Sequence, residues 1–517
     1  MSRRRVFFIT LDQSRIVPDI TGNSLASEGA AIDLGESRGQ DAANAPSAES
    51  GSAIRIEAML AGAVALGVAY AAWFFWRAGY LPQPFLYDVH APLVGLYETA
   101  FWANNTGTYD IGKNIYPPLS FVFMKLFSIN ACYSPRLAAF RGCDWIARLV
   151  LLGFFLANIV LVFRSYRLAG AGPVLPRVVA TCLGLPMLYA LQCGNVIVIA
   201  FAFFVLGYGG VVRSRWLRWL SLAVSINFKP YLVIVLVPPM IRRQWRWVGG
   251  AALVAAGIYG ATWAFEGVGS PFELLRNLQL YAAYIAHRQW SDLYYATSYW
   301  PLVHFMAAEF STLGFAGPRS GDVWSLALAA LMRLAQLGVA VAVIAAVMRP
   351  AMVNGRRFAA MILAMVLTTI TTGQSGYVQI FLFFLVFLEP WRGPTRVTIL
   401  VATYLLAIPA DYAFLPVIHG PAQSYLSGRQ VMASFGVSVG QLARPGILLI
   451  IQFGLIILNL ADSFGTRSVR RDPDPSTPAL EPGSSPAQPA PTSLKLPAPA
   501  AGFEPATFAL QKRCSAN

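Results

Sequence analysis

The sequence predicts an all-α polytopic membrane protein, a bundle of about 12 transmembrane helices with long non-cytoplasmic loops that carry short surface helices. Three observations predict it. Of 517 residues, 56% are hydrophobic and only 12% charged, where a soluble domain averages about 25% charged. Mean hydropathy is +0.55. The apolar runs are continuous rather than alternating, and in lipid every backbone polar group must be satisfied within the segment, so helices are expected and a barrel is not.

The net charge of +15 would point to nucleic acid in a soluble protein. Here Lys and Arg collect in short loops between apolar spans, which is the signature of membrane topology; no nucleic-acid partner is expected. Five cysteines, at 132, 143, 182, 193 and 514, form no C-x-x-C pair and no metal-ligand spacing with the histidines. Cys132 and Cys143 could pair if their loop faced an oxidising compartment; the expectation for the cysteines is unpaired and structural.

Taken in order, residues 1–53 are rich in Ser, Ala, Gly and Asp without a sustained apolar period, and are expected to be disordered. Arg3-Arg4-Arg5 and the short Val-Phe-Phe-Ile run resemble the start of a signal peptide, but the apolar region is too short, and Ala58 to Phe75 serves as an uncleaved anchor. Residues 54–465 form the transmembrane domain. From 466 to 517, Pro, Ala and Ser dominate, giving a disordered, partly polyproline tail. Its last residues, from Gly502 to Ser515, read like a translated transfer-RNA gene, so the reading frame is expected to run past the natural end.

Crossing helices are expected near 57–76, 145–163, 177–192, 194–211, 216–227, 230–241, 245–264, 324–348, 357–372, 376–389, 395–410 and 444–462. The pair 216–227 and 230–241 could instead be one helix with Lys229 in mid-membrane. Charge decides for the pair: with twelve crossings the basic loops at Arg164/Arg167, Arg213/Arg215/Arg218, Arg242/Arg243/Arg246, Arg349/Arg356/Arg357, Arg392/Arg396 and Arg467/Arg470/Arg471 all share one side with the N-terminus. The same topology sends 77–144, Gln192–Asn195, Asn227–Pro230, 266–323 and Gly373–Gly376 to the non-cytoplasmic face. Leu119–Ile129, about 11 residues, is too short to cross and reads as a surface-lying or re-entrant helix.

Four features then stand together on that face: Asp88 in the first outer loop, Tyr116-Pro117-Pro118-Leu119 about 28 residues later, Gly194-Asn195 opening an apolar helix, and the Lys229-Pro230 turn. In this order between these spans they resemble glycosyltransferase family 87, the GT-C mannosyltransferases that use polyprenyl-phosphate-linked sugar. The resemblance covers roughly residues 55 to 460. It implies a GT-C-like bundle in a cell membrane, a polyprenyl-phosphate-sugar donor, a lipid or cell-envelope glycan acceptor, and Asp88 as general base on the non-cytoplasmic face.

The chemistry needs these residue types. A carboxylate within about 2.6–3.2 Å of the acceptor hydroxyl can take its proton as the glycosidic bond forms, and one suffices for an inverting displacement because phosphate leaves with little protonation. Asp88 could also simply cap a short loop helix. The departing phosphate calls for a cation or oriented donors, and Lys229, His287 and Arg288 are the candidates. Lys229 could alternatively snorkel to the interface. His287-Arg288 sits among Tyr281, Tyr284, Trp290, Tyr294, Tyr295, Tyr299 and Trp300, which could stack on sugar or form an interfacial belt; the belt is the simpler expectation. Tyr116-Pro117-Pro118 is expected to fix a bend near the site and Asn195 to cap the helix that follows it; with Lys229, His287 and Arg288, Tyr116 and Asn195 are the substrate-binding candidates. Asn104-Asn105-Thr106 matches a glycosylation sequon, a tripeptide common by chance.

No Gly-rich phosphate loop, H-E-x-x-H or Asp-x-Asp pair occurs in the outer loops, so neither cofactor nor metal is expected, and a nucleotide-sugar donor is disfavoured. The chain departs from that family's pattern at Thr371–Tyr377, where many of its members carry an aromatic and His-containing motif; His287 or another donor would then take the place of the missing imidazole. The competing function class is a polytopic transporter, or a flippase or ligase of lipid-linked glycans. Transporters commonly carry ionisable or broken-helix sites in mid-membrane, whereas here the acid and aromatics lie in outer loops.

Overall fold

A computed structural model describes residues 51–85, 92–133, 143–170, 172–266, 271–286, 318–369, 376–413, 418–436 and 438–464. The expected disordered tails lie almost wholly outside the described residues. The first helix already begins at Gly51, so the expected boundary at 53 falls inside it.

The described chain is mostly helical, as expected for an all-α membrane protein. α1 (Gly51–Ala78), α4 (Trp145–Ala169), the pair α5 (Val174–Cys182) and α6 (Leu185–Gln192), α10 (Trp245–Glu266), α12 (Pro318–Met348) and α16 (Val439–Phe464) supply six stretches long and apolar enough to cross a membrane. Each of the other expected crossings is also helical. α7 (Ile197–Tyr208), α8 (Arg215–Phe228), α13 (Gly355–Thr369), α14 (Gln379–Val386) and α15 (Pro394–Ala407) are shorter, as is the segment 230–241. Twelve residues of α-helix cover about 18 Å, against a hydrocarbon core of about 30 Å.

Segments 215–228 and 230–241 are separate, as the charge argument required. Lys229 between them is extended (φ −139°, ψ 99°), and Pro230 starts a 3-10 helix to Leu236 followed by α9 (Val237–Ile241). The pair α5 and α6, expected as one helix, breaks at Leu183-Gly184. The Pro186 ring at the start of α6 brings no backbone donor.

α7 and α14 are apolar all round and buried on nearly every residue, so they are central. Phe201 and Phe204 of α7 meet Phe381 and Phe384 of α14 edge to face at 4.9–6.0 Å. The long helices α1, α4, α10 and α12 leave large apolar side chains exposed, such as Trp73, Leu149, Leu253 and Leu337, the arrangement of a surface that faces lipid.

Among the described residues, the buried ion pairs fall into two groups. At one end, Arg177 at the start of α5 forks onto Glu57 of α1 at 2.7 and 2.8 Å and donates to the Phe387 and Glu389 carbonyls. Tyr404 donates to Glu57 at 2.8 Å. Beside it, Arg357 forks onto Glu389 and pairs with Asp462, while Arg396 approaches Glu389 at 3.3 Å. Buried ions survive only when paired and hydrogen-bonded, and these close on each other. At the other end, Asp411 binds Arg444 at 2.9 Å, Ser438 at 2.7 Å and the Gly440 amide at 2.8 Å.

That second end also carries a feature the sequence analysis did not anticipate. β1 (Ile418–Gln423) and β2 (Gln430–Phe435) pair antiparallel, Ile418 opposite Phe435. The hairpin docks on the end of α1: Gly79, at φ +77°, receives Tyr425 on its carbonyl, and Tyr80 Oη accepts from the Ser434 amide. Gln83 joins it through the Gly436 backbone.

The first long loop contains α2 (Val94–Asn104), α3 (Pro118–Leu126) and a 3-10 turn, Asn130–Tyr133. α3 is the short helix expected near 119–129. It packs Phe121 and Met124 inward against α2, α8 and α10. Cys132 and Cys143 are joined in a disulfide, correcting the expectation that they are unpaired. Cys182 and Cys193 are free. The sequon Asn104 spends its amide on the Ala100 carbonyl and Ser128, a structural role.

Candidate functional site

Three turns meet at the hairpin end. Gly194 adopts φ +63°, and a Cβ there would stand 2.7 Å from the Leu93 Cα, so the residue must be glycine for the turn to pass beneath α2. The Leu93 amide donates to the Gln192 carbonyl at 2.7 Å and the Gly95 amide to the Cys193 carbonyl at 2.9 Å. Asn195 caps α7 through Oδ1 on the Ile197 amide at 3.0 Å, as expected. Its Nδ2 also donates to the Tyr116 hydroxyl at 3.3 Å, a second role the sequence did not suggest.

Tyr116 is held from both sides. Pro117 caps α3 in an extended conformation and Pro118 occupies the first turn, so the bend is set by two fixed φ angles. The Tyr109 hydroxyl donates to the Tyr116 carbonyl at 2.9 Å, and Tyr109 stacks on Trp263 of α10. Asn277 of α11 (Pro271–Ala286), buried, donates to the Tyr109 and Asn114 carbonyls at 2.8 and 3.1 Å.

Lys229 is the centre of this arrangement. Its Nζ sits 4.3 Å from the Tyr116 ring centroid and 5.9 Å from that of Tyr377. The residue is 5% exposed, which overturns the snorkelling alternative. Among the described residues, no carboxylate or hydrogen-bond acceptor pairs with the ammonium. Two tyrosine faces attract a cation, but they do not neutralise it. Burial pulls the Lys229 ammonium down from 10.5 to about 7. Tyr231 adds a buried hydroxyl that has no hydrogen-bond partner among the described residues. Burial first, then the charges of Tyr281 and Glu98, hold the Tyr116 phenol protonated well above its ordinary range, so it acts as a donor or ring and not as a base. Glu98 is exposed on α2, yet burial of part of its surroundings raises its carboxyl above 4.5.

The structure thus brings Lys229, Tyr116 and Asn195 together. Tyr116, expected as a scaffold and substrate-binding residue, places its ring against the ammonium. Tyr377 and Tyr231 were not foreseen. Tyr377 lies at the end of the Thr371–Tyr377 stretch noted for its missing histidine, and it stacks on Tyr189 with centroids 6.4 Å apart. Asp88, His287 and Arg288 lie outside the described residues, as do the aromatic loop around Trp290 and the Gly373-Gln374-Ser375 turn. Both described flanks of the Asp88 segment end beside the cluster. Phe85 packs with Leu185, Tyr189 and Tyr377, and Leu93 is tied to Gln192.

Chemically, the arrangement is a buried cation that no described carboxylate pairs with, with aromatic faces and two hydroxyls around it, suited to an anion with an attached ring or chain. Among the described residues, no group of His, Cys, Asp and Glu is placed to hold a metal ion. Scans against protein-family models, curated proteins and solved structures find no match to this chain.

Proposed function

We propose that the chain is a membrane-embedded, inverting hexosyltransferase of GT-C type. It moves mannose or a related hexose from a polyprenyl-phosphate-linked donor to a lipid or cell-envelope glycan acceptor. The observation that carries this reading is the buried Lys229 ammonium, flanked by Tyr116 and Tyr377 and unpaired by any described carboxylate. Holding a charge out of water costs several kcal/mol, and a lysine kept between two tyrosine rings suits an anion that arrives. A lipid-linked phosphate is such an anion.

In the proposed reaction the acceptor oxygen attacks the anomeric carbon as the bond from that carbon to the phosphate oxygen breaks. The phosphate leaves with the electron pair, and Lys229 stabilises its charge. Asp88 takes the acceptor proton. Asp88 lies three positions beyond Phe85, a reach of at most about 11 Å, so its anchored neighbour supports a role at this cluster. His287 and Arg288 remain proposed phosphate partners.

The proposed topology places the basic end in the cytoplasm and the Lys229 end outside. The Cys132–Cys143 disulfide on the Lys229 side supports this, because disulfides persist in oxidising compartments. Counting the shorter apolar helices, α8 and α13 as crossings restores the total of about 12.

The test is transfer from radiolabelled polyprenyl-phosphate-mannose in membranes, comparing wild type with Asp88→Ala and Asp88→Asn. Loss of labelled glycolipid in both variants is expected. Near wild-type transfer in both removes Asp88 as base, and no labelled product from the wild type with any polyprenyl-phosphate hexose favours a transporter or flippase.

A further inference from the structure

Lys229 shares its turn with a second polar group that the transfer chemistry above leaves without a role. Pro230 and Tyr231 open the 3-10 helix, and the Leu232 amide closes the turn on the Lys229 carbonyl at 3.0 Å. Pro230 fixes its own φ and holds Lys229 extended, so the side chains of Lys229 and Tyr231 leave one rigid corner. From there the helix reads Tyr-Leu-Val-Ile-Val-Leu, and the Tyr231 hydroxyl is the one polar side-chain group in it.

That hydroxyl is buried and has no hydrogen-bond partner among the described residues. Phenylalanine would fill the same volume without stranding a polar group, so packing does not account for the oxygen. Tyr231 interacts electrostatically with Tyr116 and Tyr377, the two rings that flank the Lys229 ammonium.

Tyr116 supplies a second hydroxyl with a proton to give. Asn195 Oδ1 accepts from the Ile197 amide, which fixes the side-chain amide so that Nδ2 donates to the Tyr116 Oη at 3.3 Å. The phenol oxygen is therefore the acceptor in that bond, and its own O–H is directed elsewhere. Among the described residues no acceptor takes it. An ammonium and two phenol protons thus meet in one buried place. A neutral polyol could accept from the phenols but brings no charge to the ammonium. A phosphate brings both charge and several acceptor oxygens on one atom.

Building on the lipid-phosphate reading of this site, we propose that the Tyr231 and Tyr116 hydroxyls donate to the phosphate of the polyprenyl phosphate, completing a three-point cradle with Lys229. As the bond from the anomeric carbon to the phosphate oxygen breaks, charge grows on the phosphate, and the two phenols hold it by hydrogen bonds. They keep their protons; the acceptor's proton goes to Asp88.

The experiment measures binding rather than transfer. The purified full chain in nanodiscs is titrated with a polyprenyl phosphate and, separately, with the polyprenol of the same length. Unfolding without ligand is followed on the same samples. Tyr231→Phe is expected to weaken polyprenyl phosphate binding about tenfold or more, with polyprenol binding unchanged. Its ligand-free unfolding temperature should be unchanged or higher, because the substitution removes a hydroxyl that has no described partner. In a Lys229→Met background the same substitution should cost less than about threefold, since both groups grip one phosphate. Tyr116→Phe should also lose phosphate affinity, but with a lower unfolding temperature, because Asn195 Nδ2 loses its acceptor. Unchanged phosphate affinity in either phenylalanine variant, equal losses for phosphate and polyprenol, or a lower unfolding temperature in ligand-free Tyr231→Phe overturns the cradle and leaves the Lys229 assignment standing. Wild type that binds polyprenol as tightly as polyprenyl phosphate overturns both.

Discussion

Replacing Lys229 with methionine separates function from stability in a way that few substitutions do. Methionine keeps the length of the apolar stem and removes the ammonium. In the folded chain the Lys229 pKa falls from 10.5 to about 7, which corresponds to a desolvation cost on the order of 5 kcal/mol at about 1.4 kcal/mol per pKa unit. The folded state therefore binds fewer protons than the unfolded state between about pH 7 and 10.5, so wild-type stability rises with pH across that window. Below about pH 7 the full cost applies. Lys229→Met should raise the unfolding temperature at pH 6 by several degrees, less than the full figure implies because two tyrosine rings already offset part of the charge. The difference should shrink towards pH 10. The assay is tryptophan-monitored unfolding in detergent at pH 6, 8 and 10, with transfer measured on the same samples. A more stable variant with weakened transfer is expected, its KM for the lipid-phosphate donor raised. A variant that is less stable at every pH, or that transfers sugar with wild-type KM, refutes the reasoning.

Four further outcomes follow from the packing around the site and at the opposite end. Gly194→Ala, at φ +63° and 2.7 Å from the Leu93 backbone, should destabilise by about 1–3 kcal/mol and reduce transfer, because the turn holds the flank of the Asp88 segment; circular-dichroism melting checks it. Asn277→Leu leaves the buried Tyr109 and Asn114 carbonyls without a donor, a cost of about 1–3 kcal/mol, and should loosen Tyr116, seen as weakened donor affinity. Glu57→Ala strands the Arg177 guanidinium and should cost about 3–5 kcal/mol, with loss of folded protein from the membrane fraction. Cys132→Ser opens a loop of sequence separation 11 and should cost about 3 kcal/mol; alkylation and mass measurement without reductant reports the bond itself.

The helices were legible because the signal for them is local: a continuous apolar run followed by a basic loop marks a span whatever it packs against. Even the division at Lys229 could be read, since only two separate segments keep every basic loop on one side. The break at Leu183-Gly184 was not read, although Gly184-Leu185-Pro186 carries the breaker residues for it. The hairpin was missed because Gly420-Pro421 disrupts the alternation of β1, and only Ser427-Gly428 signals its turn. Asn195 and Lys229 were found as polar residues in otherwise apolar turns. Tyr377, Tyr231 and Asn277 were not, because tyrosine and asparagine are common near membrane interfaces and their convergence depends on contacts far apart in sequence.

The central claim is that the phosphate of a polyprenyl-linked donor sits against Lys229 between Tyr116 and Tyr377. An experimental structure of the full chain in lipid nanodiscs with polyprenyl phosphate bound tests it most directly. The account predicts phosphate density at hydrogen-bond distance from the Lys229 Nζ, about 2.7–2.9 Å. Phosphate bound elsewhere, with Lys229 paired to a carboxylate of the protein, contradicts it.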